Sequence, residues 1–320
     1  MGTPYGVMRI FRHFAELPDA VRGGVVALGN FDGVHRGHQA VIGKALDLAR
    51  SWGVPGGVMT FEPHPRSVFI PDQPPFRLTP FRIKARLIEA LSADFLLMQH
   101  FDKSFASHTA EDFIRQVLIE GLGARAVVVG HDFCFGKGRA GNVGVLRAQK
   151  EFETIAVEVQ GGEDGQAFSS NMIRQALLDA KPERAAQILG RPWEIEGRVE
   201  TGDQRGRTIG FPTANLHLAD YLRPASGVYA VRAGIDQGSE TIWHDGVANL
   251  GNRPTFATQD VILEAHLFDF DGDLYGRHLR VALAGYIRPE RKFDGLPALK
   301  AQIAQDCDTA RSILSEVPYQ

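Results

Sequence analysis

Cysteine is nearly missing from this chain: Cys134 and Cys307 are the only two in 320 residues, and neither belongs to a CxxC pair. Two cysteines cannot build a disulfide framework, and the spacing of a zinc site is not there either. Although 44% of the residues are hydrophobic, no apolar run approaches the roughly 20 residues that cross a bilayer. The opening stretch, MGTPYGVMRIFRHFAELPDA, is interrupted by Arg9, Arg12, Glu16 and Asp19 and has no apolar core of the kind a signal peptide carries. Excess charge of one sign is also lacking. The formal net charge is -3 without a long basic run, so there is no electrostatic footprint for nucleic acid. A P-loop is missing as well, because Lys137 is followed by Gly138 and not by Ser or Thr. These absences argue against a secreted scaffold, a membrane-spanning protein and a nucleic-acid binder. They predict a cytoplasmic protein whose partners are small molecules, with neither membrane nor nucleic acid among them.

A length of 320 residues suits about two domains, and the periodicity changes once along the chain. From Val25 to about Leu189, short apolar runs (Val25 to Leu28, Val58 to Phe61, Phe95 to Met98, Ala126 to Val129, Ile155 to Val159) alternate with amphipathic helical stretches. One of these helices carries Val41, Ile42, Ala45, Leu48 and Trp52 on a single stripe; another opens at Thr109, with Asp112 placed as in a capping box. Unalternating strands followed by helices predict a parallel sheet covered on both faces. After Pro192 the period becomes two. Val261, Leu263, Ala265 and Leu267 share one face of a strand and Glu264 and His266 the other, and Leu279, Val281 and Leu283 alternate likewise. With strands at Trp193 to Val199, Gly227 to Ala233 and Thr241 to Asn249, this half reads as a small antiparallel β-barrel. A C-terminal helix with a stripe from Leu296 through Leu299, Ile303, Cys307, Ala310 and Leu314 packs on it. The expected boundary lies between Lys181 and Pro192, giving domains 1–186 and 187–320. No internal repeat or low-complexity tract is present.

The most informative segment is Gly29 to Gln39, GNFDGVHRGHQ, where a strand gives way to a helix and two histidines stand three residues apart around Gly37. Unpaired N–H groups and the positive end of the helix dipole attract anions there. A glycine at position 37 would let a phosphate approach the backbone, and His35 and His38 could donate to its oxygens. The same pair could instead cap the helix or share a metal ion. Gly136 to Gly141, GKGRAG, fits the dinucleotide pattern GxGxxG. Six residues separate it from the strand ending at Val129, however, whereas a Rossmann turn follows its strand directly. A glycine-rich flap beside the nucleotide fits better.

The string GNFDGVHRGHQ resembles the HxGH signature of nucleotidyltransferases in the form carried by bacterial bifunctional riboflavin kinase/FAD synthetases. TFEPHP (Thr60 to Pro65) and VVGHDFCFGKGRAG (Val128 to Gly141) resemble the adenylyltransferase half of that family. GRTIGFPTANL (Gly206 to Leu216), GVANLGNRPTF (Gly246 to Phe256) and LEAHLFDFDGDLYG (Leu263 to Gly276) resemble its kinase half, and all five stand in the family's order. The resemblance implies a Rossmann-like α/β nucleotidyltransferase domain followed by the barrel. It implies two reactions, phosphorylation of riboflavin to FMN and adenylylation of FMN to FAD, each using ATP with Mg2+. In the first half it assigns His35 and His38 to the ATP phosphates, beside Gly29, Asp32 and Gly37, and Pro63, His64, Pro65 and Asp132 to the flavin. Pro63 and Pro65 would hold that loop extended. FSSNMIRQAL (Phe168 to Leu177) would add a second phosphate contact through Ser169, Ser170 and Arg174. The family usually has SST where this chain has Ser169, Ser170 and Asn171, so that contact is altered here.

In the second half, GDQRGRTIGFPTAN packs three glycines and two arginines into fourteen residues that end in the hard oxygen donors Thr213 and Asn215. Its glycines permit a turn that hugs a phosphate, and the Thr213 hydroxyl and Asn215 carbonyl suit Mg2+, which prefers oxygen. A Gly- and Asn-rich hairpin turn is the alternative reading. By resemblance Arg205, Gly206, Gly210 and Pro212 contact ATP, Thr213 and Asn215 the metal, and Glu264 is the general base for the ribityl hydroxyl. Two rival activities remain open: a riboflavin kinase with its first domain weakened at Asn171, and a flavin-binding regulator without turnover. A base beside a metal site argues against the regulator.

Overall fold

The computed structural model describes residues 8–158, 160–162, 166–200, 210–237, 240–254 and 259–317. Two compact units make up the chain, Met1–Pro74 with Thr79–Ser169, and Pro75–Leu78 with Ser170–Gln320.

In the first unit the strands are β1 (Arg9–Phe11), β2 (Val25–Leu28), β3 (Gly56–Glu62), β4 (Phe95–His100), β5 (Ala126–Gly130) and β8 (Glu153–Val157), with a short antiparallel ribbon, β6 (Cys134–Phe135) and β7 (Gly141–Asn142). The six form one sheet in the order β1-β4-β3-β2-β5-β8, every pairing parallel. Successive side chains of β2 enter different cores: Val26 and Leu28 pack with Phe113, Val117 and Leu118, whereas Val25 and Ala27 pack with Val41, Ile42 and Ala45. Burial on both faces accounts for the unalternating run VVAL. Around the sheet lie α1 (Arg36–Trp52), α2 (Pro65–Phe69), α3 (Phe81–Glu89), α4 (Ala110–Asp112, continuing as π-helical turns over Phe113–Gly121) and α5 (Val143–Arg147). Helix α1 buries Leu46 and Ala49 with Val41, Ile42 and Ala45, while Leu48 and Trp52 are only partly buried. Thr109 caps α4 as its spacing from Asp112 predicts, with its hydroxyl accepting from Asp112 N–H at 3.1 Å. The edge strand β1 was not legible, being three residues of mixed polarity.

The second unit opens with two helices, α6 (Ser170–Leu178) and α7 (Pro182–Leu189). The expected boundary between 186 and 187 falls within α7, whereas the compact units divide between Ser169 and Ser170. Pro182 opens α7, and Gly190 closes it in the left-handed region at φ 80°. Six strands follow, β9 (Trp193–Arg198), β10 (Ala214–His217), β11 (Gly227–Gln237), β12 (Glu240–Pro254), β13 (Gln259–Leu267) and β14 (His278–Arg288), and then α8 (Leu296–Glu316). They pair antiparallel in the order β10-β13-β12-β11-β14-β9. The outer two strands approach each other where Glu200 N–H donates to Asn215 O at 3.0 Å, which nearly closes the barrel. The closing strand β10 begins at Ala214, in the last two residues of the segment whose alternative reading was a turn.

The C-terminal half of α8 lays Ala310 and Leu314 on the outer barrel face beside Val228, Ala230, Val247 and Ala284. Its N-terminal half does not pack this way, and Leu296 is half exposed. Among the described residues no helix is long and apolar enough to cross a membrane.

Candidate active sites

The end of β2 leads into a turn with left-handed backbone at Phe31 (φ 47°), Gly33 (φ 90°) and Val34 (φ 44°). It delivers His35 as the N-cap of α1, with Nδ1 accepting from His38 N–H at 3.3 Å. That bond places the proton of the neutral ring on Nε2. The His38 ring stacks on His35 at 3.6 Å between centroids and meets Phe31 edge-on. The histidines therefore stand at a helix start, as their spacing predicts, and His35 caps that helix. Two neighbours have other work than expected. Asp32 is buried, and its Oδ1 accepts from Thr79 N–H at 3.0 Å, so it braces the turn. At Gly37 an added Cβ would lie 3.1 Å from the His35 ring, which makes this glycine the floor for an imidazole before it is a path for phosphate. Gly29 likewise leaves room for the Phe31 ring.

Beside this turn lies a cavity of about 960 Å³. His64, Pro65, Asp132 and Asn30 line it, together with Phe61, Phe69, Phe101, Phe105, Phe133 and Phe135 and the glycine-rich turn from Gly136 to Arg139. Pro63 is outside the lining. Pro65 opens α2 instead of extending a loop, and His64 caps that helix by accepting from Arg66 N–H at 3.1 Å. The segment GKGRAG joins β6 to β7 and does not connect a strand to a helix, so the dinucleotide pattern is coincidental. The aromatic lining was missed in the sequence, since each phenylalanine alone reads as core.

Ser169 ends the first unit, whereas Ser170, Asn171 and Arg174 belong to the second. There Arg174 donates to Phe76 O at 2.8 Å and to Asn171 Oδ1 at 2.8 Å. The residue standing where the family has threonine thus holds the arginine one turn on.

In the second unit, register brings distant residues into one row. Asn215 pairs with Glu264, Glu264 with Asn249, Asn249 with Val228, and Val228 with Arg288. Directly paired residues share a face, and this is the outer face beneath α8. Glu264, Asn249, Val228 and Arg288 line a cavity of about 370 Å³ with Phe211, Phe293, Leu299 and Ile303. Arg288 holds Asp306 of α8 through two nitrogens, at 2.9 Å and 2.7 Å, and Asn249 donates to Glu290 at 3.0 Å. The helix stripe thus divides its work, with Leu299 and Ile303 facing the cavity and Ala310 and Leu314 the barrel. A second cavity, of about 460 Å³, is lined by Pro212, Thr213, Leu267 and the Phe270 to Tyr275 loop. Thr213 lines both. The Pro212 carbonyl lies 2.9 Å from His266 Nδ1, and Gly210 turns the chain at φ 92°. Asn215 is buried, and among the described residues its Oδ1 has no hydrogen-bond partner. An orphaned carbonyl oxygen, two residues along the chain from Thr213, fits a hard cation such as Mg2+. Arg205 and Gly206 lie outside the described residues.

Comparison with known proteins agrees with both halves. Residues 17–172 match the FAD synthetase family model, which stops short of Arg174, and residues 189–314 match the riboflavin kinase model. The bifunctional riboflavin kinase/FMN adenylyltransferase of Escherichia coli K12 is 43% identical over 95% of this chain and 97% of its own. That of Bacillus subtilis is 41% identical over 88% and 90%. A crystal structure described as a macrolide-efflux protein from Streptococcus pneumoniae has 32% identity and a TM-score of 0.84, over 95% of this chain and 99% of that one. The chain belongs to the bifunctional riboflavin kinase/FMN adenylyltransferase family, with an FAD synthetase and a riboflavin kinase domain in one polypeptide.

Proposed function

We propose that the barrel unit transfers the γ-phosphoryl group of ATP to riboflavin and that the α/β unit transfers the adenylyl group of a second ATP to FMN, releasing pyrophosphate. The observation that carries the kinase assignment is Thr213. It forms a wall common to two cavities, one with Glu264 and apolar sides for riboflavin, the other beside the Phe270 to Tyr275 loop for ATP. A donor and an acceptor on opposite sides of one residue are what an in-line transfer requires. Glu264 takes the proton of the ribityl hydroxyl. Thr213 and the Asn215 oxygen hold Mg2+, which when bound neutralises charge on the ATP phosphates. Gly210 and Pro212 shape that side of the wall, with Arg205 and Gly206 preceding them in sequence.

In the α/β unit, Nε2–H of His35 and the ring of His38 stabilise charge on the ATP phosphates at the start of α1. The aromatic cavity with His64, Pro65 and Asp132 takes the isoalloxazine ring of FMN, closed by the turn at Gly136 to Arg139. The partners are small molecules. Both cysteines are free thiols, which suits a reducing cytoplasm.

Incubating purified protein with riboflavin, ATP and Mg2+ and resolving FMN from FAD tests the whole reading. Both products are expected. FMN alone would leave a kinase with a silent first unit, and neither would leave a flavin-binding protein. Asn215→Ala should raise the Mg2+ concentration needed for FMN formation, and an unchanged Mg2+ titration would remove the metal role.

A further inference from the structure

Lys84 is fully buried, on a helix whose Ile83, Ala85 and Ile88 are buried with it. A buried ammonium is costly unless its hydrogen bonds are met inside the protein, so its partner shows what it is for. Its Nζ donates to the backbone carbonyl of Asn30 at 2.8 Å, and the Thr60 hydroxyl donates to the same oxygen at 3.0 Å. Thr79 grips the turn again two and three residues on. Its hydroxyl accepts from Gly33 N–H at 2.8 Å and its own N–H donates to Asp32. The backbone between these points and just beyond them is strained, since neither Phe31 nor Val34 is a glycine, both have positive φ, and Val34 is β-branched. Such conformations persist only where the surroundings over-determine them. The strain ends at His35, the next residue.

We infer that Lys84 is a positioning residue for adenylyl transfer. With Thr60 it fixes the Asn30 carbonyl, and through that carbonyl it holds the left-handed turn that sets His35 and His38. The inference rests on the reading of the histidine turn as the ATP phosphate site.

The test uses the full chain carrying Lys84→Met, Thr60→Val or both, assayed for FMN to FAD and for riboflavin to FMN. Lys84→Met should lower kcat for FAD formation about 10²-fold, the scale of a displacement near 1 Å. KM for FMN should change little, and riboflavin phosphorylation should stay at the parental rate. Thr60→Val should cost less, and the double variant should lose less than the product of the two losses, because both act on one oxygen. Parental kcat in Lys84→Met, a parallel fall in both activities, or strictly multiplicative losses would each overturn the inference. Should Lys84→Met not fold, Thr60→Val decides alone, and parental FAD formation there overturns it. His38→Ala, run alongside, separates the two layers. Full FAD synthesis in that variant sinks the phosphate-site reading itself, whereas loss there with full activity in Lys84→Met sinks only the role of Lys84.

Discussion

The two units build their sites by opposite means. In the α/β unit the reactive side chains are neighbours in sequence, carried on a turn after β2 and held by bonds across two or three positions, such as His38 N–H to His35 Nδ1. In the barrel no two of Asn215, Glu264, Asn249 and Arg288 are close in sequence, and strand register alone sets them in a row. A turn can be strained and braced at a few points, as Phe31 and Val34 are by Lys84, Thr60 and Thr79. A register cannot, because a slip of one residue moves every side chain of the strand to the other face. One site is therefore open to fine adjustment by its neighbours, and the other is fixed by the whole sheet.

The largest expected effect lies in the barrel. Glu264→Gln keeps the size and one acceptor oxygen but removes the proton affinity, so FMN formation should fall by about 10² to 10⁴, the usual contribution of a general base. Riboflavin affinity should hold, because a contact made mainly in the transition state spares binding. FAD formation from supplied FMN should also hold, which separates the units. Near-parental turnover would mean that the loose transition state of phosphoryl transfer needs no base here. Next in size is His38→Ala, expected to cut FAD formation by about 10² to 10³, the scale of one preorganised charge-stabilising donor, with riboflavin phosphorylation unchanged. If both activities fell equally, the histidine would be maintaining the fold.

A smaller effect is expected at Gly37, and its size measures how tightly the turn is tuned. A Cβ there would meet the His35 ring at 3.1 Å, so Gly37→Ala must push the imidazole from its place. A displaced rotamer costs about 1 kcal/mol, or roughly fivefold in rate if the whole cost falls on the transition state. FAD formation in Gly37→Ala should drop by about that factor with riboflavin phosphorylation as control. No drop would show that the ring has room to spare.

The same contrast decides what could be read from the sequence. The histidine pair was legible because helix start, glycine and imidazoles are contiguous, and Glu264 because alternation separates it from Leu263 and Ala265. The parallel sheet and the barrel followed from their different periods. The work of Asp32 and Gly37 was not legible: a buried carboxylate braced by Thr79, 47 residues away, leaves no local mark. Nor was the Asn215 to Arg288 row, which needs pairings of strands far apart in the chain. Asp306 lies between stripe positions of α8 and reads as solvated. It is buried because Arg288 reaches it from β14. The aromatic cavity was hidden for a similar reason, since Phe101, Phe133 and Phe135 resemble core until the sheet leaves a space between them.

The two thiols carry the same contrast into reactivity and stability. Cys134 lines the aromatic cavity of the α/β unit, so FMN bound there should protect it from alkylation. Cys307 sits on α8, and burial, followed by the negative charge of Asp306, pushes its thiol from 9.0 up to about 11. In a Cys134→Ala background, alkylation of Cys307 at pH 8 should be about a hundredfold slower than that of a thiol of unshifted pKa, because the thiolate is the reactive form. The rate should climb about tenfold per pH unit until near pH 11. The sign for stability follows from the same shift. With the folded pKa raised, the folded state keeps the proton longer, so this contribution is whole below about pH 9 and is lost as the pH rises toward 11. Cys307→Ser, which has no group titrating there, should show a shallower loss of stability across that window in denaturant unfolding. Equal slopes in variant and parent would mean that the thiol of the folded protein titrates as in the unfolded chain, and that α8 shields the barrel face less than its packing at Ala310 and Leu314 implies.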